Sequence, residues 1–272
     1  MTDQPTLTLN DGRQIPQLGF GTWQIEQDDA ADAVKTALEA GYWLVDTAAI
    51  YKNEEGVGEG IGNWSDIFLT TKIWNESQGF DRTKKAFANS LKRLGREHVD
   101  LLLIHWPCPQ KNEFVDTWKA MIELRDEGTA KSIGVSNFRE DDLKRLVDET
   151  GVVPAVNQIE LHPTFQQRGM RLVHNDMGIV TQSWSPLGQG ATMDNDAIQS
   201  IAEDTGQDPA AIIIRWHIQH GFSVIPRSTN PDHIRSNFSA LSFELTDDQM
   251  AMIDELDDAD GRIGPEPGNF EG

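Results

Sequence analysis

Leu101-Leu102-Leu103-Ile104-His105 is an apolar run that stops on an ionisable side chain. Strands of a parallel sheet covered by helices on both faces read as continuous apolar runs rather than as alternating ones. Such a strand delivers its last side chain to the rim of the sheet. Two earlier stretches do the same: Leu44-Val45-Asp46, with Tyr51 close behind, and Phe68-Leu69-Thr70-Thr71-Lys72. In a (β/α)8 barrel the active site is assembled on the C-terminal rim from the ends of several strands. Any one of these groups reads equally well as a cap or a satisfied hydrogen-bonding group. Three successive strands ending this way, with a Tyr nearby, predict proton-coupled chemistry rather than binding alone.

Outward from these runs, strand patterns recur near 17–21, 43–46, 67–71, 99–104, 132–135, 155–159, 179–183 and 223–226. Helical patterns lie between and after them, near 28–40, 53–61, 83–94, 114–127, 140–149, 167–177, 209–220 and 231–238. Eight βα pairs imply a parallel sheet of the α/β class, and eight strands can close into a barrel. An open doubly wound sheet is the alternative. Thr6–Leu9 and Arg13–Ile15 flank Asn10-Asp11-Gly12 and predict an N-terminal β-hairpin. Asp208-Pro209 and Asn230-Pro231 each read as an N-cap followed by Pro at the first helical position. Thr246-Asp247-Asp248-Gln249 has capping-box spacing and predicts an extra helix over 246–257. The tail from Gly261 to Gly272 is rich in Gly and Pro. It reads as a frayed end or, through Ile263 and Phe270, as a cover over a pocket.

The 272 residues contain no linker-like stretch, so residues 1–272 are expected to form one barrel domain. No apolar run is long enough to span a bilayer, and the first residues lack the basic and apolar regions of a signal peptide. Cys108 is the single cysteine, so no intrachain disulfide can form, and a cytoplasmic location fits best. Lys and Arg number 23 against 44 Asp and Glu, a formal net charge of −21. That charge repels nucleic acid and anionic membranes, and neither is expected as a partner.

Familiar nucleotide and hydrolase signatures are missing: there is no G-x-G-x-x-G, Walker A, G-x-S-x-G or H-E-x-x-H. Gly56, Gly58, Gly60 and Gly62 are wrongly spaced for a dinucleotide loop and fall in a helical pattern. His217 and His220 stand three apart on a helix, but no acidic or Cys partner accompanies them in the sequence, and no metal site is expected. Later strands end on Gly134-Val135-Ser136-Asn137-Phe138, Asn157-Gln158-Ile159-Glu160 and Ser183-Trp184-Ser185-Pro186-Leu187-Gly188. Ser136, Asn137 and Gln158 can bond a flat carboxamide and Trp184 can stack on its ring, a set that suits nicotinamide. The plainer alternative is that Ser and Asn cap the following helices and Trp184 belongs to the core. Ile225-Pro226-Arg227-Ser228-Thr229-Asn230-Pro231 places a cation and two hydroxyls before a helix N-terminus, a natural phosphate site. Trp23, Trp74 and Trp106 each follow a strand-end motif and predict an apolar substrate pocket.

With these residues in order, the chain resembles the aldo-keto reductases, closest to the bacterial 2,5-diketo-D-gluconate reductase branch. Asp46, Tyr51, Lys72 and His105 look like the family's catalytic tetrad. The likeness runs through Leu18-Gly19-Phe20-Gly21-Thr22-Trp23, Asp46-Thr47-Ala48-Ala49-Ile50-Tyr51, His105-Trp106-Pro107, Gly134 to Phe138, Asn157-Gln158 with Glu160-Leu161-His162-Pro163, and Ile225-Pro226-Arg227-Ser228. The resemblance implies reduction of aldehydes, ketones or diketo sugar acids with NADPH preferred over NADH, no metal, and a monomer acting on a small carbonyl compound. It implies Tyr51 as proton donor, Lys72 lowering the phenol pKa, Asp46 holding Lys72, and His105 orienting the substrate oxygen. The cofactor residues it implies are Gly21, Thr22, Ser136, Asn137, Gln158, Trp184, Ser185, Leu187, Arg227, Ser228, Thr229, Asn230, His233 and Asn237. Two departures stand out: His233 occupies the place of a second phosphate-binding Arg, and the belt over the cofactor, Gln189 to Met193, is short.

Overall fold

The computed structural model describes residues 4–272. Strands β1 (Thr6–Thr8) and β2 (Gln14–Pro16) pair antiparallel, with Leu7 opposite Ile15, as the expected hairpin. Eight parallel strands follow among the described residues: β3 (Phe20–Gly21), β4 (Leu44–Asp46), β5 (Phe68–Ile73), β6 (Val99–Ile104), β7 (Ala130–Ser136), β8 (Val156–Glu160), β9 (Val180–Trp184) and β10 (Ser223–Val224). Their spatial order is their sequence order. The ends meet: Leu18 bridges Val224, Gly19 N–H donates to Val224 O at 2.8 Å and Gly21 N–H to Pro226 O at 3.0 Å. That seam makes the sheet a barrel and excludes the open alternative. The backbones run so close there that a Cβ on Gly21 would lie 2.9 Å from Ile225 O. Of the predicted 223–226 strand, Ser223 and Val224 form the ladder with β9 and Ile225 N–H adds a bond to Ser183 O at 3.3 Å, while Pro226 has no N–H to continue it.

The helices are α1 (Gln27–Ala40), α2 (Glu54–Ile61), α3 (Phe80–Leu94), α4 (Phe114–Asp126), α5 (Glu140–Thr150), α6 (Arg168–Met177), α7 (Asp196–Thr205), α8 (Pro209–Gln219), α9 (Pro231–Phe238) and α10 (Asp247–Asp254). Asp208 and Asn230 cap α8 and α9 through their side chains, and Thr246 with Gln249 closes the capping box of α10. The sequence reading missed α7. Only Ile198 and Ile201 are buried on it, too thin an apolar stripe to stand out. Its own cap, Asn195, accepts from Ala197 N–H.

Alternation along the strands splits the core. Leu101 and Leu103 point into the barrel, where they join Leu9 and Ile15 from the hairpin, Leu44, Val156 and Ile225. Leu102 and Ile104 point outward into the layer between sheet and helices. The hairpin thereby closes the barrel floor and leaves the opposite rim open. No helix among the described residues is long and apolar enough to cross a membrane.

Candidate active site

The three strand-end groups converge on that rim. Asp46 ends β4, Lys72 sits one residue before the end of β5, and His105 follows β6 directly. Tyr51 lies on a 3-10 turn, Ala49–Tyr51, between β4 and α2. The Lys72 ammonium contacts Asp46 Oδ1, donates to Thr47 O at 3.0 Å, and reaches Tyr51 Oη at 3.4 Å. The Tyr51 and His105 rings stand edge to face at 5.6 Å, and Trp74 packs against His105 at 5.1 Å. Lys72 is fully buried and Asp46 nearly so.

Burial disfavours both charges of that pair. It lifts the Asp46 carboxyl and lowers the Lys72 amine, while their mutual contact opposes each change. A second carboxylate, Glu54, is also buried; it accepts from Thr71 Oγ1 at 2.7 Å and is paired with Arg93. Burial, helped by the Asp46 charge, holds the Tyr51 phenol well above its ordinary value. The net shift is thus opposite to the lowering expected from Lys72: burial of the phenol is the larger cause, and the Asp46 carboxylate held on the ammonium adds to it. Burial and the Lys72 charge hold His105 well below the usual imidazole range, so it is neutral near pH 7. Its Nδ1 is buried without a partner. An orphaned ring N–H costs more than an orphaned lone pair, which places the proton on Nε2.

The amide residues line the same end of the barrel. Ser136 Oγ donates to Gln158 O at 2.8 Å; Asn137 Nδ2 donates to His105 O at 3.0 Å; Trp184 Nε1 donates to Asn137 Oδ1 at 2.8 Å. Asn137 and Ser185 hold positive φ, 64° and 48°, a strained state concentrated at functional sites. Gly21 lies in the barrel seam. Thr22 is buried and spends its hydroxyl on Asp46 O at 3.0 Å. From there a groove of about 880 Å³ runs outward, lined among others by Trp23, Ser185, Leu187, Gln189, Met193, Arg227, Ser228, Thr229, Asn230, His233 and Asn237. The outer cofactor candidates therefore share one cleft. Arg227 spans it, donating from Nε to Trp23 O at 3.0 Å and from Nη2 to Gln24 Oε1 at 3.1 Å. An amide set at the barrel mouth and an exposed guanidinium in the groove suit the two ends of an extended dinucleotide with a terminal phosphate.

Trp74 packs on His105, whereas Trp106 is nearly buried and Trp23 is 43% exposed at the groove. The tail is the cover, not a frayed end. Phe270 packs on Trp106 at 4.4 Å and on Trp74 at 6.3 Å. Glu160, buried at the end of β8, holds the tail by accepting from Ile263 N–H at 2.6 Å and Gly264 N–H at 3.0 Å. Burial opposes that charge, but hydrogen bonds from His162 and the tail backbone keep the carboxyl below its ordinary value. The tail then passes so close to Trp184 that a Cβ on Gly264 would lie 2.5 Å from the indole. Glu160 as an anchor was not readable from its motif. Nor was Asn53, which is buried and ties the loops together by donating to Thr22 O and Ile25 O. His217 Nε2 donates to Pro186 O at 3.3 Å, and His220 has an acidic partner after all, Asp254 at 2.8 Å. Both are packing residues, and no group of three potential metal ligands occurs among the described residues.

A model of the Aldo/keto reductase family matches residues 17–258. The chain is 52% identical to an aldo-keto reductase of Mycolicibacterium smegmatis over 270 residues, 98% of each chain. It is 45% identical to the methylglyoxal reductase DkgA of Escherichia coli K12 over 278 residues, covering both chains in full. Among solved structures it superposes on a Gox0644 mutant in complex with NADPH with a TM-score of 0.97, at 48% identity and 98% coverage of each chain.

Proposed function

The chain belongs to the aldo/keto reductase family, and from that premise we propose that it reduces carbonyl compounds to alcohols with NADPH, Tyr51 giving the proton. The overall reaction is R₂C=O + NADPH + H⁺ → R₂CHOH + NADP⁺. The observation that carries the reading is the buried Asp46–Lys72 pair reaching Tyr51 Oη at 3.4 Å beside a neutral His105. When bound, the cofactor supplies the hydride. Tyr51 Oη donates its proton to the carbonyl oxygen as negative charge grows there. Lys72, donating toward Oη, stabilises the phenolate left behind. Asp46 keeps Lys72 in place and charged. His105 donates from Nε2 to the same oxygen and aligns it; being neutral, it polarises rather than protonates. Ser136, Asn137 and Gln158 hold the carboxamide, and Trp184 offers a stacking face. Gly21, Thr22, Ser185, Leu187 and Asn237 complete the walls of the cofactor cleft.

We place the 2′-phosphate at Arg227, Ser228, Thr229 and the N-terminus of α9 behind Asn230. Among the described residues Arg227 Nη1 meets no protein acceptor, and a charge-assisted hydrogen bond contributes about 1.5–3 kcal/mol. With His233 at the second position the preference over NADH is modest, and NADH is used measurably. Substrates are small to medium aldehydes, ketones, α-keto and diketo compounds, sugar acids and methylglyoxal among them, fitting a pocket between Trp23, Trp74 and Trp106. The working enzyme is a cytoplasmic monomer that needs no metal. Purified protein mixed with NADPH and such carbonyls should consume reduced-cofactor absorbance, and Tyr51→Phe should abolish turnover while NADPH still binds. A Tyr51→Phe enzyme that kept most of its kcat, with chemistry limiting, would remove Tyr51 from the role of acid.

A further inference from the structure

Gln158 is in register with Gln182 on β9, and Gln182 with Ser223 on β10. All three are buried, and their side chains form one row around the inner wall of the barrel. Gln158 Nε2 donates to Asp46 Oδ2 at 2.8 Å and to Gln182 Oε1 at 2.7 Å. Gln182 Nε2 donates to Ser223 Oγ at 3.0 Å, and Ser223 Oγ donates to the carbonyl of Pro16 in the floor hairpin at 3.0 Å.

The two ends of the row fix its direction. A backbone carbonyl can only accept, so the Ser223 proton is committed to Pro16 and its lone pair must take a proton from Gln182. Gln182 then has only its oxygen for Gln158. At the other end the Asp46 carboxylate, paired with Lys72, can also only accept. Both N–H groups of Gln158 are therefore spent inside the protein. Its Oε1 accepts from no protein donor and is not sealed in the interior. The reverse amide orientation would set the single Gln158 oxygen against both the Asp46 carboxylate and Gln182 Oε1.

We propose that Gln182 and Ser223 are positioning residues that lock the Gln158 amide with its oxygen toward the cofactor, so that it accepts an N–H of the nicotinamide carboxamide. This rests on the cofactor reading above. It reaches further, because neither residue touches the cofactor and both act through Gln158.

The test is a pair of equilibrium titrations, following quenching of tryptophan fluorescence. One ligand is NADP⁺; the other is its 3-acetylpyridine analogue, in which a methyl group replaces the carboxamide NH₂. A net hydrogen bond between neutral groups corresponds to about three- to tenfold in affinity. The unmodified protein should favour NADP⁺ by about that factor. Gln182→Met fills the same space without polar atoms, and Ser223→Ala removes the anchor with little change of volume. Each should bring the ratio toward one, mainly by weakening NADP⁺. Gln182→Glu still offers Gln158 an oxygen and should keep the ratio, a rescue that a purely structural role would not give. The ratio of kcat/KM for the two reduced cofactors should move in parallel. An unchanged ratio in both Gln182→Met and Ser223→Ala would overturn the proposal, as would equal weakening of both ligands. A wild-type protein that bound both ligands equally would overturn it while leaving the cofactor reading intact. One that bound neither would overturn both.

Discussion

Lys72 decides more than its own charge. It touches Asp46 and Tyr51 together. Lys72→Met should lower kcat by at least about a hundredfold, the lower range of acid–base catalysis, with NADPH affinity nearly kept. A smaller loss, with the proton-transfer step shown to limit turnover, would mean that Tyr51 ionises without help. His105 makes a second residue-scale expectation. An ordinary imidazole would put an inflection near pH 6.5 into kcat/KM. Because burial and Lys72 hold His105 well below that, no such inflection should belong to it. One that His105→Gln removed would restore an ordinary imidazole to the site. That these side chains would meet on one rim was legible in the sequence because each ends or follows an apolar run. The sign of the Tyr51 shift was not. It depends on how near Asp46 comes to Lys72 and how little water reaches the phenol, and neither distance nor burial is written in a run of letters.

Elements whose ends carry their own chemistry were readable; those that depend on distant partners were not. The caps of α8, α9 and α10 announced themselves, whereas α7 hides because only two of its side chains reach the core. The tail is the clearest case. Gly and Pro mark it as irregular, yet Glu160, about a hundred residues earlier in the chain, is what pins it across Trp184. Phe270, carried on that tail, packs on Trp106 and Trp74, two walls of the proposed substrate pocket. Phe270→Ala should therefore improve kcat/KM for bulky aldehydes relative to small ones, without a matching change in NADPH affinity. An equal change for every aldehyde would put Phe270 outside the pocket. At the proposed phosphate end of the groove Asn230 accepts from Asp232 N–H at 2.9 Å. Asn230→Ala should cost about 1 kcal/mol of stability, and it should weaken NADPH more than NADH. A parallel loss for both cofactors would separate α9 from the 2′-phosphate.

Across the whole molecule, acidic charge and buried imidazoles act in different pH ranges. His174 is buried between Asn157 and Thr181, with a pKa lowered by burial to about 4; burial takes His217 down to about 3. Between these values and the ordinary imidazole value near 6.5, the unfolded chain holds protons that the folded chain refuses. The unfolded state then binds more protons, so stability rises with pH in that window and falls on acidification. Each group contributes a slope of about 1.4 kcal/mol per pH unit, so the two together should remove several kcal/mol by pH 4 from a total of about 5–15. The net charge of −21 works against folding by self-repulsion. That repulsion eases as ordinary carboxylates take up protons near pH 4, toward the lower edge of the imidazole window, and salt screens it. Denaturant unfolding at pH 7, 6 and 5 should show the loss, and 1 M NaCl should raise stability at every pH while leaving the slope nearly unchanged, because buried groups are poorly screened. His217→Asn should flatten the slope by about 1.4 kcal/mol per pH unit, provided that the variant folds; His174→Asn tests the same point at the second site. A slope unaltered by either substitution, or erased by salt, would assign the acid sensitivity to the surface carboxylates instead.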